Sequence, residues 1–470
     1  MPLVAGVDSS TTATKLEVRD LDSGQVVGGG SSPHPPTRPP RSEQPPAAWW
    51  AAFEAAWQQA GAPDVAAVSV AGQQHGMVAL DADRRVIRPA KLWNDTESAP
   101  EAASLLERLA GGRRAWAEAC GLVPVASFTI TKLAWLRRHE PRAWERLAHV
   151  ALPHDWLTLE LTGRLVTDRG DASGTGYWSA ASGAYRHDLL ALVDAERDWA
   201  PVVPTVLGPL EAAGEWNGAL VGPGTGDNMA GALGVGLRPR DVVVSIGTSG
   251  TVYGVSDEPT ADASGIVAGF ADATGRHLPL VCTLNATKVT DAAARLLGVD
   301  HEGLDRLALA GPPGAGGLTL LPYLDGERTP DRPNATGVVA GLRSDVGREQ
   351  LARAAVEGVV CGLLDGLDAL ASFAPTDGQL IVVGGGSRSH AYRQVLADLS
   401  GREVLVPHVG EQVATGACVQ AAAVAAHSEP ADIADAWKLG AGDLVEPGPG
   451  VAAAADVRAA YAALRDATGD

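Results

Sequence analysis

"VAGVDSSTTATK", residues 4–15, holds the plan of the fold in one line. A short apolar run ends on Asp8, hydroxyl-bearing residues come next, and Lys15 closes the stretch. A run of this length, bounded by Ser and Thr, predicts a strand that turns sharply into a second strand. A carboxylate at a strand tip can hold a hydrated Mg²⁺. Ser10, Thr11 and Thr12, with their backbone N–H groups, can cradle phosphate oxygens, and Lys15 adds positive charge. An ordinary hairpin turn reads the same way. The spacing is not that of a Walker A loop, which requires GxxxxGK followed by Ser or Thr.

The plan returns in "DVVVSIGTSGTVYG", residues 241–254: apolar strand, Gly/Ser/Thr turn, return strand. Gly247 and Gly250 permit close backbone approach to a ligand, and Thr248 supplies a donor. Between and after these units, strands alternate with helices. Helices are predicted near 46–61, 98–110, 130–139, 154–161, 288–298, 345–372 and 411–426. A strand covers 64–72, a hairpin 76–89, strand-rich blocks 241–256 and 264–284, and "SSPHPPTRPPRSEQPP" (31–46) a surface loop. The class is α/β, built from two related lobes with a cleft between them.

Composition sets the outer limits. A chain of 470 residues exceeds a typical single core, so two domains are expected. The net charge of −19 argues against a nucleic-acid partner, which needs a basic patch, but allows an anionic ligand at a local N–H-rich site. Cys120, Cys282, Cys361 and Cys418 are far apart with no CxxC pair, which predicts reduced thiols and no zinc site. No basic and then apolar leader opens the sequence, and "ACVQAAAVAAH" (417–427) is too short to span a bilayer. Both point to the cytoplasm and away from membranes. A homodimer is the default assembly.

Four further segments carry chemistry. "VVGGGSRS" (382–389) places Gly384, Gly385, Gly386 and Ser387 between a strand and a helix, a setting for an anion or a flat ligand. It lacks the GxGxxG spacing of a dinucleotide site. "GTGDNMAG" (224–231) sets Asp227 before a small-residue helix, as a helix cap or as a general base. "AGQQHGMV" (71–78) and "KLWNDTE" (91–97) end strands on Gln73, Gln74 and His75, and on Trp93, Asn94 and Asp95. Amides, an imidazole and an indole face suit a polyhydroxylated ligand, each of whose hydroxyls needs a partner.

The order of these segments resembles the FGGY family of carbohydrate kinases, in particular its D-xylulose-phosphorylating members, over roughly residues 3–440. "GVDSSTTATK", "GQQHG", "LWND", "LTGRLVTDRGDASGT" (161–175), "GDNMAGALGVG", "GTSG", "LPYLDGERTP" (321–330) and "VVGGGSRS" carry the likeness. The resemblance implies a duplicated actin-like (ribonuclease H-like) ATPase fold with an interlobe cleft. Residues 1–236 would form the sugar-binding lobe with the first phosphate loop, and 237–470 the lobe with the second phosphate loop and the adenosine site. It implies transfer of the γ-phosphoryl of ATP to the terminal hydroxyl of D-xylulose, or of a related ketopentose or pentitol. A sugar-independent actin-like ATPase is the alternative from another class. By the same resemblance Asp227 is the base and Asp8 positions Mg²⁺ through water. Ser10, Thr11, Thr12, Lys15, Gly247 and Thr248 surround the phosphates. Gly384, Gly385, Gly386 and Ser387 line the adenosine site. Gln74, His75, Trp93, Asn94, Asp227 and Asn228 hold the sugar. Three positions depart from the family pattern: Ser10 stands where Gly is frequent, Gln74 where Met is common, and Glu97 where a basic residue is frequent.

Overall fold

Strand Leu3–Ser9 is buried along nearly its whole length, as the unbroken apolar run requires of a strand covered on both faces. The structure, a computed structural model, describes residues 2–469. Leu3–Ser9 pairs antiparallel with Ala13–Asp20, which sets Asp8 opposite Lys15 and Ser9 opposite Thr14. Ser10 closes the turn, donating its N–H and its hydroxyl to the Ala13 carbonyl at 3.0 and 2.9 Å.

The chain divides into two compact units. The first comprises Met1–Leu237, Asp257–Leu278 and Val409–Gly440; the second comprises Arg238–Ser256, Pro279–His408 and Ala441–Asp470. In the first unit the sheet runs Gly214–Trp216, Ala219–Val221, Ala67–Gly72, Leu3–Ser9, Ala13–Asp20, Val26–Pro33. Leu3–Ser9 is parallel to Ala67–Gly72, which is parallel to Ala219–Val221, and the remaining neighbours are antiparallel. The second unit repeats this order. The strand His277–Thr283, which belongs to this unit from Pro279 on, Gly250–Gly254 and Val242–Ile246 are antiparallel in turn. Leu380–Val383 and Val404–Pro407 continue parallel, and Gly442–Val445 closes antiparallel. The likeness between residues 4–15 and 241–254 is thus a duplication of topology.

In parallel sheets ligands sit beyond the carboxyl ends of the strands. In the first unit those ends are Asp8, the residues after Gly72, and Asp227 after the short strand Thr225–Gly226, which itself pairs with Ala71 and Gly72. In the second they are Gly247 and the glycines from 384. Helix Gln412–Ala426, from the far end of the chain, packs in the first unit against helix Asp227–Gly234. A Cβ on Gly416 would lie 1.7 Å from the Ala230 carbonyl oxygen, and one on Gly234 1.8 Å from that of Gln412, so only glycines allow the two backbones to touch. A core around Trp49, Phe53, Trp156 and Val68 backs this sheet, with Trp49 edge-on to Trp156 at 6.1 Å.

The expected helices appear as Pro46–Gln59, Ala99–Arg108, Thr129–His139, Pro153–Thr162, Thr287–Leu297, Arg348–Ala371 and Gln412–Ala426. The segment 31–46 is not wholly a loop. Its first residues complete the edge strand Val26–Pro33, and Glu43–Gln44 pairs with Ala90–Lys91. Gly28, Gly29 and Gly30 hide that strand's alternation. Cys120, Cys361 and Cys418 are free and buried, and burial pushes the Cys120 thiol up to about 12. Among the described residues no helix is long and apolar enough to cross a membrane.

Candidate active site

Asp227 is the first residue of its helix, Gly226 occupies the cap, and no side chain caps the helix. The helix-cap reading of this aspartate therefore fails. Instead its Oδ1 accepts a bond from Asn228 Nδ2 at 2.9 Å. The same amide donates to Gln74 Oε1 at 2.6 Å, leaving Gln74 Nε2 buried with no hydrogen-bond partner. Burial, reinforced by the charge of Asp171, pushes the Asp227 carboxyl up to about 7. Asp8 is also pushed up to about 7, by burial and then by Asp227, with Lys15 opposing. Its Oδ1 is buried and unbonded, a polar atom that a hydrated cation would satisfy.

The loop after Asp8 is tied to the neighbouring strand end. Thr11 donates its hydroxyl to Gln73 Oε1 at 3.1 Å and accepts from the Trp93 indole N–H at 2.9 Å. The hydroxyls of Ser10 and Thr11 thus already hold the turn, while Thr12 is exposed. Lys15 lies 2.5 Å from Glu411 in a half-exposed ion pair. Such pairs contribute little in water, so an anionic ligand can displace the carboxylate. Asn94 keeps a buried Oδ1 with no partner.

Glu97, at the position where the family pattern favours a basic residue, is held by two cations, Lys91 of its own segment and the more distant Arg41. The fully buried Lys91 places its ammonium 2.7 Å from Glu97, 2.9 Å from Asp95 and 3.2 Å from Glu43, and 3.9 Å above the Trp135 ring. Arg41 adds a contact to Glu97 at 3.2 Å. Glu43, Asp95 and Glu97 lie close enough together to share a metal ion, but Lys91 already stands among them as their counter-charge.

Behind His75 lies a group of residues to which the sequence motifs assign no role, although Asp168 and Asp171 fall within the stretch 161–175 that carries the family likeness. His154 is fully buried, with Nε2 3.2 Å from Asp155, 3.4 Å from Asp168 and 3.5 Å from Asp171. Burial would lower its pKa, but the carboxylates overcome that and push it up to about 9. Burial raises Asp155 and Asp171 to about 7 against the pull of His154. Asp168 accepts from the backbone N–H groups of Gly170 and Asp171 and from the Thr225 hydroxyl at 2.7 Å. The available signal was an acid-rich "VTDRGD" downstream of an apolar "PHDWL".

The second unit holds a hollow of about 930 Å³, lined by Gly247, Thr248, Asp305, Gly385, Gly386 and Ser389 among others. Its size suits a nucleotide. Gly384, at φ +86°, and Ser387, whose hydroxyl donates to the Gly384 carbonyl at 2.8 Å, shape the turn from outside that lining. Asp305 accepts the N–H groups of His390 and Ala391, both at 3.0 Å, and so fixes the start of helix His390–Ser400. Ser389 closes the stretch 382–389 without a role assigned from sequence, and no sequence pattern points to Asp305.

Residues 3–234 match the N-terminal domain, and residues 242–425 the C-terminal domain, of the FGGY family of carbohydrate kinases. The chain is 48% identical over 457 residues to a xylulose kinase of Streptomyces rubiginosus, covering 95% of this chain and 92% of that protein. It is 37% identical to a xylulose kinase of Escherichia coli over 75% of this chain and 74% of the other. Among solved structures it superposes on a xylulose kinase from Bifidobacterium adolescentis with a TM-score of 0.87, at 42% identity and with 99% of each chain covered. The duplicated sheets are those of the two-domain actin-like ATPase fold.

Proposed function

We propose that this chain, which belongs to the FGGY family of carbohydrate kinases, transfers the γ-phosphoryl group of ATP to the terminal hydroxyl of D-xylulose, forming D-xylulose 5-phosphate and ADP. The observation that carries the reading is the pair of buried carboxylates at the strand ends, Asp8 and Asp227. Neither is explained by the fold alone: Asp227 is not the cap residue of its helix, and Asp8 keeps a buried oxygen without a partner. The identities to xylulose kinases support the choice of sugar.

Asp227 accepts the proton as the sugar oxygen forms its bond to phosphorus and the bond to the ADP oxygen breaks. A carboxylate held near 7 matches the pH at which a base both stays ionised and takes a proton readily. Gln74 Nε2 and Asn94 Oδ1, both buried without partners, offer a donor and an acceptor to sugar hydroxyls, alongside His75, Trp93 and Asn228. Asp8 would hold a hydrated Mg²⁺, which neutralises phosphate charge when bound. On the nucleotide side we assign Gly247, Thr248, Gly385 and Gly386 of the second-unit cavity, with Gly384 and Ser387 shaping its wall. Lys15 exchanges Glu411 for a phosphate oxygen. We propose that the reaction takes place in the cytoplasm, with Mg²⁺ as the metal.

The test is sugar-dependent ADP release with Mg²⁺-ATP across D-xylulose, L-xylulose, D-ribulose, xylitol, glycerol and a blank without sugar. D-xylulose turnover far above the rest is the expected result. Faster turnover of another sugar would move the substrate assignment, and equal ADP release in every tube would overturn the sugar-kinase mechanism.

A further inference from the structure

His75 has a backbone φ of +61°, in the left-handed region that residues with a Cβ enter only at a cost in strain. The surrounding structure must hold it there. Its N–H donates to Asp171 Oδ1 at 3.3 Å, and its carbonyl accepts from the Thr129 hydroxyl at 3.1 Å. Its ring lies against Phe128 and Phe270, with centroids 5.3 and 5.1 Å away. On another side it meets Gly174, where a Cβ would come within 1.8 Å of His75 Nδ1. Asp171 is fully buried between two imidazoles. Its Oδ1 is 3.5 Å from His75 Nδ1 and its Oδ2 is 3.5 Å from His154 Nε2.

We propose that Asp171, oriented by His154, and Thr129 are positioning residues that clamp the His75 peptide unit and so set Gln74 and His75 toward the sugar. The inference rests on the reading of Gln74 and His75 as sugar-binding residues. The clamp grips both polar ends of one residue from two separate elements, the segment Arg169–Ala172 and helix Thr129–His139. Released from it, His75 relaxes to ordinary backbone angles, and Gln74, its neighbour, turns with it. Because three carboxylates face His154, neutralising Asp171 leaves two to hold the imidazolium and relieves repulsion among the acids. The fold therefore survives loss of this charge.

Full-length wild type, Asp171→Ala, Asp171→Asn and Thr129→Val are compared at about pH 8, above the value of Asp227, so that ionisation of the base stays out of the comparison. Steady-state rates are measured with Mg²⁺-ATP and whichever sugar the wild type turns over fastest. Asp171→Ala and Thr129→Val raise the sugar KM by about tenfold or more, the scale of one hydrogen bond to a charged or constrained group, while the ATP KM stays put. Asp171→Asn, which keeps an acceptor for the His75 N–H, recovers most of the loss. Sugar KM values within about twofold of wild type, or an ATP KM that rises in parallel, would overturn the clamp. If the Asp171 variants fail to fold, Thr129→Val decides alone, since it exchanges one hydroxyl for a methyl group. A wild type inert toward every sugar would overturn the functional reading and the clamp together, whereas an active wild type with unchanged variants overturns the clamp only.

Discussion

Asp227→Asn keeps the shape of the side chain and removes the proton acceptor. The amide oxygen can still receive the bond that Asn228 Nδ2 gives Asp227 Oδ1 at 2.9 Å, and the helix loses no cap. A positioned base is worth about 10²–10⁴ in rate, or about 3–5 kcal/mol of barrier. Turnover of the sugar should fall by that factor with little change in KM. Stability should move the other way. Burial and Asp171 raise the Asp227 carboxyl from 3.8 to about 7, so the folded chain binds this proton more tightly than the unfolded chain. The carboxylate is thus harmless below its unfolded pKa and destabilises the fold progressively as pH climbs from about 4 to about 7, above which the penalty is constant. The whole shift corresponds to about 4 kcal/mol at ~1.4 kcal/mol per unit. Asp8 and Asp171 share the same repulsion, so the expected gain for Asn at about pH 8 is roughly 1–2 kcal/mol, vanishing near pH 4. The assays are ADP release and thermal melts of the ligand-free protein at both pH values. Near-normal turnover would remove Asp227 from the role of base. Slow turnover with a lower melting temperature at pH 8 would show that the carboxylate stabilises the fold, contrary to its surroundings.

Wild-type kcat/KM for the sugar should rise with pH through about 7 and level off above it, since the proposed base, Asp227, must be deprotonated to take a proton; a profile flat from about pH 5.5 to 8.5 contradicts this. Gly416→Ala should destabilise the protein by about 3 kcal/mol or more and depress turnover, because the added methyl group would drive helix Asp227–Gly234 away from helix Gln412–Ala426; denaturant melts and rates on the purified variant check both effects. His154→Gln strips the buried carboxylates of their cation and should cost about 3–5 kcal/mol near neutrality. His154 is raised from 6.5 to about 9, so its contribution is fully present below 6.5 and lost as pH rises through 9. Urea melts at the two ends of that window should show the deficit shrinking, and a constant deficit would mean that charge is not the cause.

Most of the candidate site was legible where its chemistry would sit in a short run. Asp8, the Gly247–Thr248 turn, Gly385 and Gly386 end strands whose apolar residues are consecutive, so each strand and the turn after it are visible together. Asp227 was visible but ambiguous, because a helix cap and a base look alike until the side chain's partner is known. The edge strand Val26–Pro33 was obscured by glycines that carry no side chain to alternate. Glu97, whose departure from the family pattern opens the choice of substrate, has its carboxylate taken up in ion pairs with Lys91 and Arg41, which no local pattern shows.

Local order along the chain was enough for the two strand–turn–strand units, the carboxylates at their tips and the kinase family, because each depends on residues a few places apart and on backbone preferences that neighbours enforce. Three features came from the folded arrangement alone. The helix around residue 416 supports the helix of Asp227, Lys91 gathers Glu43, Asp95 and Glu97, and His154 meets Asp155, Asp168 and Asp171 beneath His75. A charge can be buried only beside its counter-charge. Which residues become those neighbours is set by how distant segments cross, and no local pattern records a crossing.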